Sequence, residues 1–188
     1  MGPAGSQPHP TSSLVTTTLR ALDGAPRSPS PTYFIDYMKK FIVYTDGASR
    51  GNPGQAAAGF VIQTPDGVIW VQEGVYLGHA TNNVAEYTAV KMAFEKLLKD
   101  FIKDLPTEIE VRADSMLVVR QLQGLFKMKN PTLRVLFEGI KDLEPKLGKI
   151  VYQHIPRSQN FLADRMANMA LDRQALIEID PDLIGVDQ

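Results

Sequence analysis

Cysteine is missing from all 188 residues, which excludes disulfides and thiolate metal sites and makes a reducing compartment acceptable. Net charge is nearly missing as well: 20 Lys and Arg against 21 Asp and Glu leave −1 at pH 7, with a pI near 6.3. A polyanion would therefore find no global attraction, and would have to be held by a local patch or a bound cation. No apolar run approaches the roughly 18 residues that cross a bilayer, so no membrane role is expected. An internal repeat is absent, and tryptophan occurs once, at Trp70. What is present, 44% hydrophobic side chains, is enough for one full core but not two.

The two ends differ from the middle. Residues 1–38 are dense in Pro, Ser, Thr and Gly, with Ser-Pro-Ser-Pro at Ser28 to Pro31 and no sustained hydrophobic period, so they read as a disordered extension. Met1-Gly2 with Ser6 makes only a weak myristoylation pattern beside Pro3, and Arg20 and Arg27 are too few for a transit peptide. Met38, just before the first strand, is a natural alternative initiator. The globular domain is placed at 39–175, with an acidic, apolar tail at 176–188. A cytoplasmic location is expected, or an organelle or the nucleus if the extension is a targeting segment. A monomer is expected.

Within the domain, Phe41-Ile42-Val43-Tyr44 is β-branched and aromatic and reads as a buried strand ending on Asp46. Three glycines and a proline follow between Gly47 and Gly54, predicting a tight turn that leaves backbone N–H groups bare. Ala58, Phe60, Ile62 and then Val68, Trp70 step by two around Thr64-Pro65-Asp66-Gly67, a hairpin signature. Thr81-Asn82-Asn83 supplies caps for a helix whose apolar stripe runs through Ala89, Ala93, Leu97 and Phe101. A strand at 108–113, a short helix at about 114–122, a helix at 131–147, a strand at 150–155 and a helix at 160–175 capped by Asn160 complete the order βββαβααβα. Strands separated by helices pair in parallel, so the class is α/β, a mixed sheet flanked by helices.

Four acids sit awkwardly for purely local roles. Glu86 lies on the stripe that should be buried, where an unpaired carboxylate costs several kcal/mol. Asp46 and Asp114 end two strands, and strand ends at a change of direction are where open sheets bind ligands. Asp164 lies in the first turn of the last helix, where its ordinary account is to offset the helix dipole. If the first and fourth strands lie side by side with the first helix behind them, Asp46, Glu86 and Asp114 meet. Such a cluster is tolerable only when divalent cations neutralise it. All-oxygen ligands favour Mg²⁺, with Mn²⁺ as a substitute, over zinc. Two such ions about 4 Å apart can activate water and stabilise the leaving oxygen of a phosphodiester.

The stretches YTDGASRGNPG at Tyr44 to Gly54, TNNVAEYTA at Thr81 to Ala89, ADS at Ala113 to Ser115 and HIPRSQNFLADRMAN at His154 to Asn168 resemble ribonuclease H of type 1. That resemblance covers roughly residues 40–171. It implies a five-stranded sheet in the order 3-2-1-4-5 with only strand 2 antiparallel to the others. It also implies hydrolysis of the RNA strand of an RNA·DNA hybrid, giving 3′-hydroxyl and 5′-phosphate ends with two Mg²⁺ ions. The metal ligands it implies are Asp46, Glu86, Asp114 and Asp164. The 2′-hydroxyls of the hybrid, met across the minor groove, would fall to Asn52, Asn82, Gln121 and the backbone at Ser49, Arg50 and Gly51. Thr81 would hold a phosphate of the DNA strand. His154, ten residues before Asp164, stands where the family often has a histidine for product release or proton transfer; an ordinary strand histidine is the alternative. The long basic, tryptophan-bearing handle of many relatives is replaced by a short connector, Gly124 to Asn130. A hybrid-binding module without catalysis, or another nuclease on the same fold, is the competing reading.

Overall fold

Lys40 opens the first strand of a five-stranded sheet, and the computed structural model describes residues 40–101, 106 and 108–179. The expected extension 1–38 and residues 180–188 lie outside them. The strands are β1 (Lys40–Gly51), β2 (Gly54–Gln63), β3 (Ile69–Ala80), β4 (Glu108–Ala113) and β5 (Lys149–His154). The helices are α1 (Asn82–Phe101), α2 (Met116–Leu122), α3 (Pro131–Leu147) and α4 (Phe161–Ile179), with one 3₁₀ turn at Arg157–Gln159. The sheet order is β3-β2-β1-β4-β5. β2 is antiparallel to β1 and β3, while β4 runs parallel to β1 and β5. That is the topology the resemblance implies.

Alternation along each strand sends residues to opposite faces. Phe41, Val43, Phe60, Ile62, Ile109 and Val111 share a core cluster with Tyr87, Val90, Phe94 and Leu97 of α1, Val118 and Leu122 of α2, and Leu133 and Ile140 of α3. Each fully buried Phe, Leu or Val contributes roughly 1.5–3 kcal/mol relative to exposure. The opposite face of β1, β2 and β3 is covered by α4. β2 is consequently buried nearly end to end, as a strand covered on both faces should be. Close approach of α4 depends on glycine: a Cβ on Gly59 would lie 2.3 Å from the Ala163 carbonyl oxygen, and one on Gly74 2.0 Å from that of Met166.

Several expectations about boundaries change. β1 does not turn after Asp46 but stays paired with β2 as far as Gly51↔Gly54, so the turn is made only by Asn52 and Pro53. Two of the glycines serve that hairpin: Gly51 has φ 92, in the left-handed region, and a Cβ on Gly54 would lie 2.0 Å from the Arg50 carbonyl oxygen. The short second helix starts at Met116, because its first helical bond runs from Val119 N–H to the Ser115 carbonyl. The last helix runs on through Ile179, past the expected limit at 175.

Candidate active site

The parallel pairing of β1 and β4 ends at Thr45↔Ala113. Asp46 and Asp114 are the next residues, so two carboxylates lie side by side where the parallel pairing stops, Asp46 within β1 and Asp114 just past the end of β4. Glu86 reaches them from the second turn of α1. One carboxylate oxygen from each of Asp46, Glu86 and Asp114 lies within 4.8 Å of the others. Asp46 and Glu86 are only 5% and 6% exposed.

α1 can come this close because residue 47 has no side chain. A Cβ on Gly47 would lie 2.2 Å from the Glu86 nitrogen and 2.6 Å from the Ala85 carbonyl carbon, both backbone atoms. Gly47→Ala is therefore expected to push the start of α1 off β1. Overpacking of this kind costs about 1–3 kcal/mol, to be read as a lower urea midpoint at unchanged slope.

Burial and mutual repulsion set the protonation of the cluster. Glu86 is pushed up to about 9, first by burial and then by Asp46 and Asp114. Asp46 is pushed up to about 7 by burial, then by Asp114 and Asp164, with the Arg157 guanidinium and the Gly47 N–H opposing. Three acids this close cannot all ionise without a counter-charge. Glu86 Oε1 accepts a long bond of 3.4 Å from Asn82 Nδ2, and Oε2 is buried with no hydrogen-bond partner. An unpartnered buried carboxylate oxygen among two further carboxylates is what a hard divalent cation would satisfy. The oxygen-only donor set of these three acids fits Mg²⁺ or Mn²⁺ rather than zinc.

Asn160 supports the cluster in a way its expected capping role does not include. Its Nδ2 donates to the Thr45 carbonyl at 2.9 Å and to Asp114 Oδ1 at 3.0 Å. Only its backbone carbonyl takes part in starting α4, by accepting from Asp164 N–H. The side chain thus ties β1, Asp114 and α4 together from a fully buried position. His154, the last residue of β5, is exposed, and its Nε2 lies 3.2 Å from the Asp114 carbonyl oxygen. Asp164, in the first turn of α4, does not join the three oxygens within 4.8 Å of one another; its Oδ1 accepts from Arg157 Nη2 at 2.7 Å. Arg157 carries no signal in sequence, being one basic residue in a polar loop.

The cluster forms the floor of an open cleft of about 520 Å³, whose walls include Ser49, Asn82, Ser115 and Arg157. Asn52 Oδ1 accepts from Asn82 N–H at 3.1 Å, fastening the hairpin tip to the start of α1. The Ser49 hydroxyl donates to the Gly51 and Ala80 carbonyls. Thr81 caps α1, its Oγ1 accepting from Val84 N–H at 3.3 Å, so the cap falls on Thr81 and not on Asn82. Arg50 is paired with Asp172 of α4. Gln121 requires a correction. It is 6% exposed, its Oε1 accepts from the Tyr87 hydroxyl at 2.8 Å, and its Nε2 donates to the Lys127 carbonyl at 3.2 Å. Its amide serves the core and the connector, so the expected groove contact does not fall there.

The sequence profile of the family described as reverse transcriptase-like matches residues 44–170. A ribonuclease HI of Halobacterium salinarum is 44% identical over 129 residues, which cover 69% of this chain and 63% of that protein. A bifunctional protein of Mycobacterium tuberculosis is 39% identical over 146 residues, 76% of this chain and 39% of that one. The chain therefore spans between about two-fifths and two-thirds of the length of these curated relatives. Among solved structures, LC11-RNase H1 in complex with an RNA/DNA hybrid superposes with a TM-score of 0.69 at 43% identity, over 72% of this chain and 99% of that one. The RNase H1 of Halobacterium salinarum gives 0.66 at 41% identity, over 71% and 98%. The profile match, the sequence identity and the superposition over nearly the whole of these RNase H1 structures place the chain in the type 1 ribonuclease H family.

Proposed function

We propose that this domain is an endonuclease that hydrolyses the RNA strand of an RNA·DNA hybrid, with two divalent ions and 3′-hydroxyl and 5′-phosphate products. The observation that carries the reading is the convergence of Asp46, Glu86 and Asp114, with one buried Glu86 oxygen unpartnered, where the β1–β4 pairing stops beneath an open cleft. It is supported by the relative of known structure that holds an RNA/DNA hybrid. Asp46, Glu86, Asp114 and Asp164 are assigned as ligands; bound there, divalent ions lower the pKa of water and stabilise charge developing on phosphate. Asn160 fixes the Asp114 carboxylate. His154, beside the Asp114 backbone, is assigned to proton transfer or product release. The minor-groove contacts are assigned to Asn52, Asn82 and the strand from Ser49 to Gly51, at one end of the cleft.

A hybrid-binding module without catalysis would have no need for carboxylates whose burial raises their own energy. Junction resolvases and exonucleases on the same fold would share the acids but have no use for the Gly-rich hairpin joined to Asn82 through Asn52. In a test with end-labelled hybrid, duplex RNA and duplex DNA, cleavage is expected in the RNA strand of the hybrid, in Mg²⁺ and not in EDTA. Equal cutting of duplex DNA would refute the substrate assignment.

A further inference from the structure

Asp164 stands apart from the other three acids, and the group that holds it is a cation of the protein's own. Arg157 rises from the 3₁₀ turn between β5 and α4, with its side chain 79% exposed, and donates from Nη2 to Asp164 Oδ1 at 2.7 Å. It also lines the cleft above Asp46, Glu86 and Asp114. Its charge acts favourably on Asp46, Glu86 and Asp114 as well as on Asp164, offsetting part of their mutual repulsion. The guanidinium thus does in part what a divalent ion would do. A guanidinium and an ion at the same carboxylate repel each other, so they compete for it.

We propose that Arg157 is a built-in counter-ion that occupies Asp164 and gives it up to a divalent ion when a nucleic-acid phosphate takes the guanidinium, coupling ion binding to polyanion binding through one side chain. The inference rests on the nuclease reading above. Its physical basis is exchange between like partners: guanidinium pairs with phosphate as readily as with carboxylate, in the same forked geometry. An exposed ion pair is weak enough to be exchanged, and the long, solvated Arg157 side chain can swing without disturbing the core. Coupling of this kind is reciprocal, so an ion at Asp164 tightens polyanion binding by the factor by which the polyanion tightens the ion.

The test is Mn²⁺ binding to the full chain, followed by electron paramagnetic resonance, with and without duplex DNA as a source of phosphates that offers no ribonucleotide to cleave. In the wild type without DNA, one ion is expected to bind more tightly than the second. Arg157→Gln is expected to tighten the second ion by about fivefold or more, and Arg157→Gln with Asp164→Asn to lose that gain. DNA is expected to tighten the second ion in the wild type but not in Arg157→Gln. Equal second-ion affinity in wild type and Arg157→Gln, or an equal response of both to DNA, overturns the proposal. The exposed position of Arg157 makes loss of folding no explanation. If Asp46→Asn binds the first ion as tightly as the wild type does, the nuclease reading itself fails, whatever Arg157→Gln shows.

Discussion

Glu86→Gln is expected to slow hydrolysis of the hybrid by about 10³-fold or more, while the metal-free protein at pH 8 becomes more stable. The two halves of the result share one cause. Glu86 is 6% exposed, has one oxygen without a partner, and faces two further carboxylates, so as an anion it gains little from the protein around it. Its charge is useful only when a cation is present. A bound ion supplies several kcal/mol of stabilisation to a phosphoryl transition state, and about 4 kcal/mol corresponds to roughly 10³ in rate. Glutamine keeps the length and shape of the side chain but cannot match a carboxylate as a ligand for a hard ion. At pH 8 the fold must keep a proton on Glu86 that the unfolded chain has released, a cost that the neutral glutamine does not carry, and its amide can also donate to the acids beside it. Single-turnover cleavage in Mg²⁺ gives the first half, and urea unfolding in EDTA gives the second. Activity within tenfold of wild type would remove Glu86 from the metal set, and a less stable apo variant would show that Glu86 is a structural acid.

Glu86 was readable from sequence because it breaks a rule visible within one helix, a charge on the stripe with Ala89, Val90, Ala93 and Leu97. Asp114 is readable as the acid that follows a strand end, whereas Asp46, expected at such an end, lies inside β1, which runs on to Gly51. The pairing of β1 with β4 that brings them together has no local signal, since 56 residues separate the first strand's end from the fourth strand's start; it followed from family resemblance. The hydrophobic pattern also holds where it is periodic: strand β4 and helix α3 begin and end at the predicted residues. It fails where glycine has a tertiary reason. Gly47 is glycine because α1 crosses within reach of its Cβ, so it looks like part of a turn while lying inside a strand.

Polar residues misled in the same way. Asn160 has the right type and position for a helix cap, but its side chain goes to a carbonyl 115 residues away in sequence. Gln121 looks like a surface residue of a short helix, yet the buried Tyr87 hydroxyl needs an acceptor and takes its Oε1. In each case the decisive partner is distant in sequence, and local reasoning has no access to it. The same holds for Arg157, whose partner Asp164 is only seven residues away but whose second function, facing the other acids, depends on the sheet.

The metal-free protein is expected to lose stability steadily as pH rises from about 5 to 9, and Mg²⁺ is expected to abolish that loss. In the unfolded chain Asp46 and Glu86 release their protons near the ordinary values, about 3.9 and 4.3. In the fold they hold them until about 7 and about 9. Between those limits the folded state binds more protons than the unfolded state, so stability falls with pH. The decline begins above the unfolded values, Asp46 ceases to add to it above about 7, and Glu86 above about 9. Each unit of displacement corresponds to about 1.4 kcal/mol, so over these displacements the loss is a large share of the stability of a marginally stable domain. A divalent ion contributes in the opposite direction and offsets the loss. It binds the ionised carboxylates, so its stabilisation is small near pH 5, where protons compete for the same oxygens, and grows as they leave. Urea midpoints at pH 5, 7 and 9, in EDTA and in millimolar Mg²⁺, measure both trends. Glu86→Gln in EDTA separates this cause from other titrating groups, because it should flatten the slope between pH 7 and 9, where Glu86 is the member of the pair still carrying its proton. A wild-type midpoint that rises with pH in EDTA, or a Mg²⁺ increment as large at pH 5 as at pH 9, would mean that the three carboxylates do not meet as a proton-holding, cation-binding cluster.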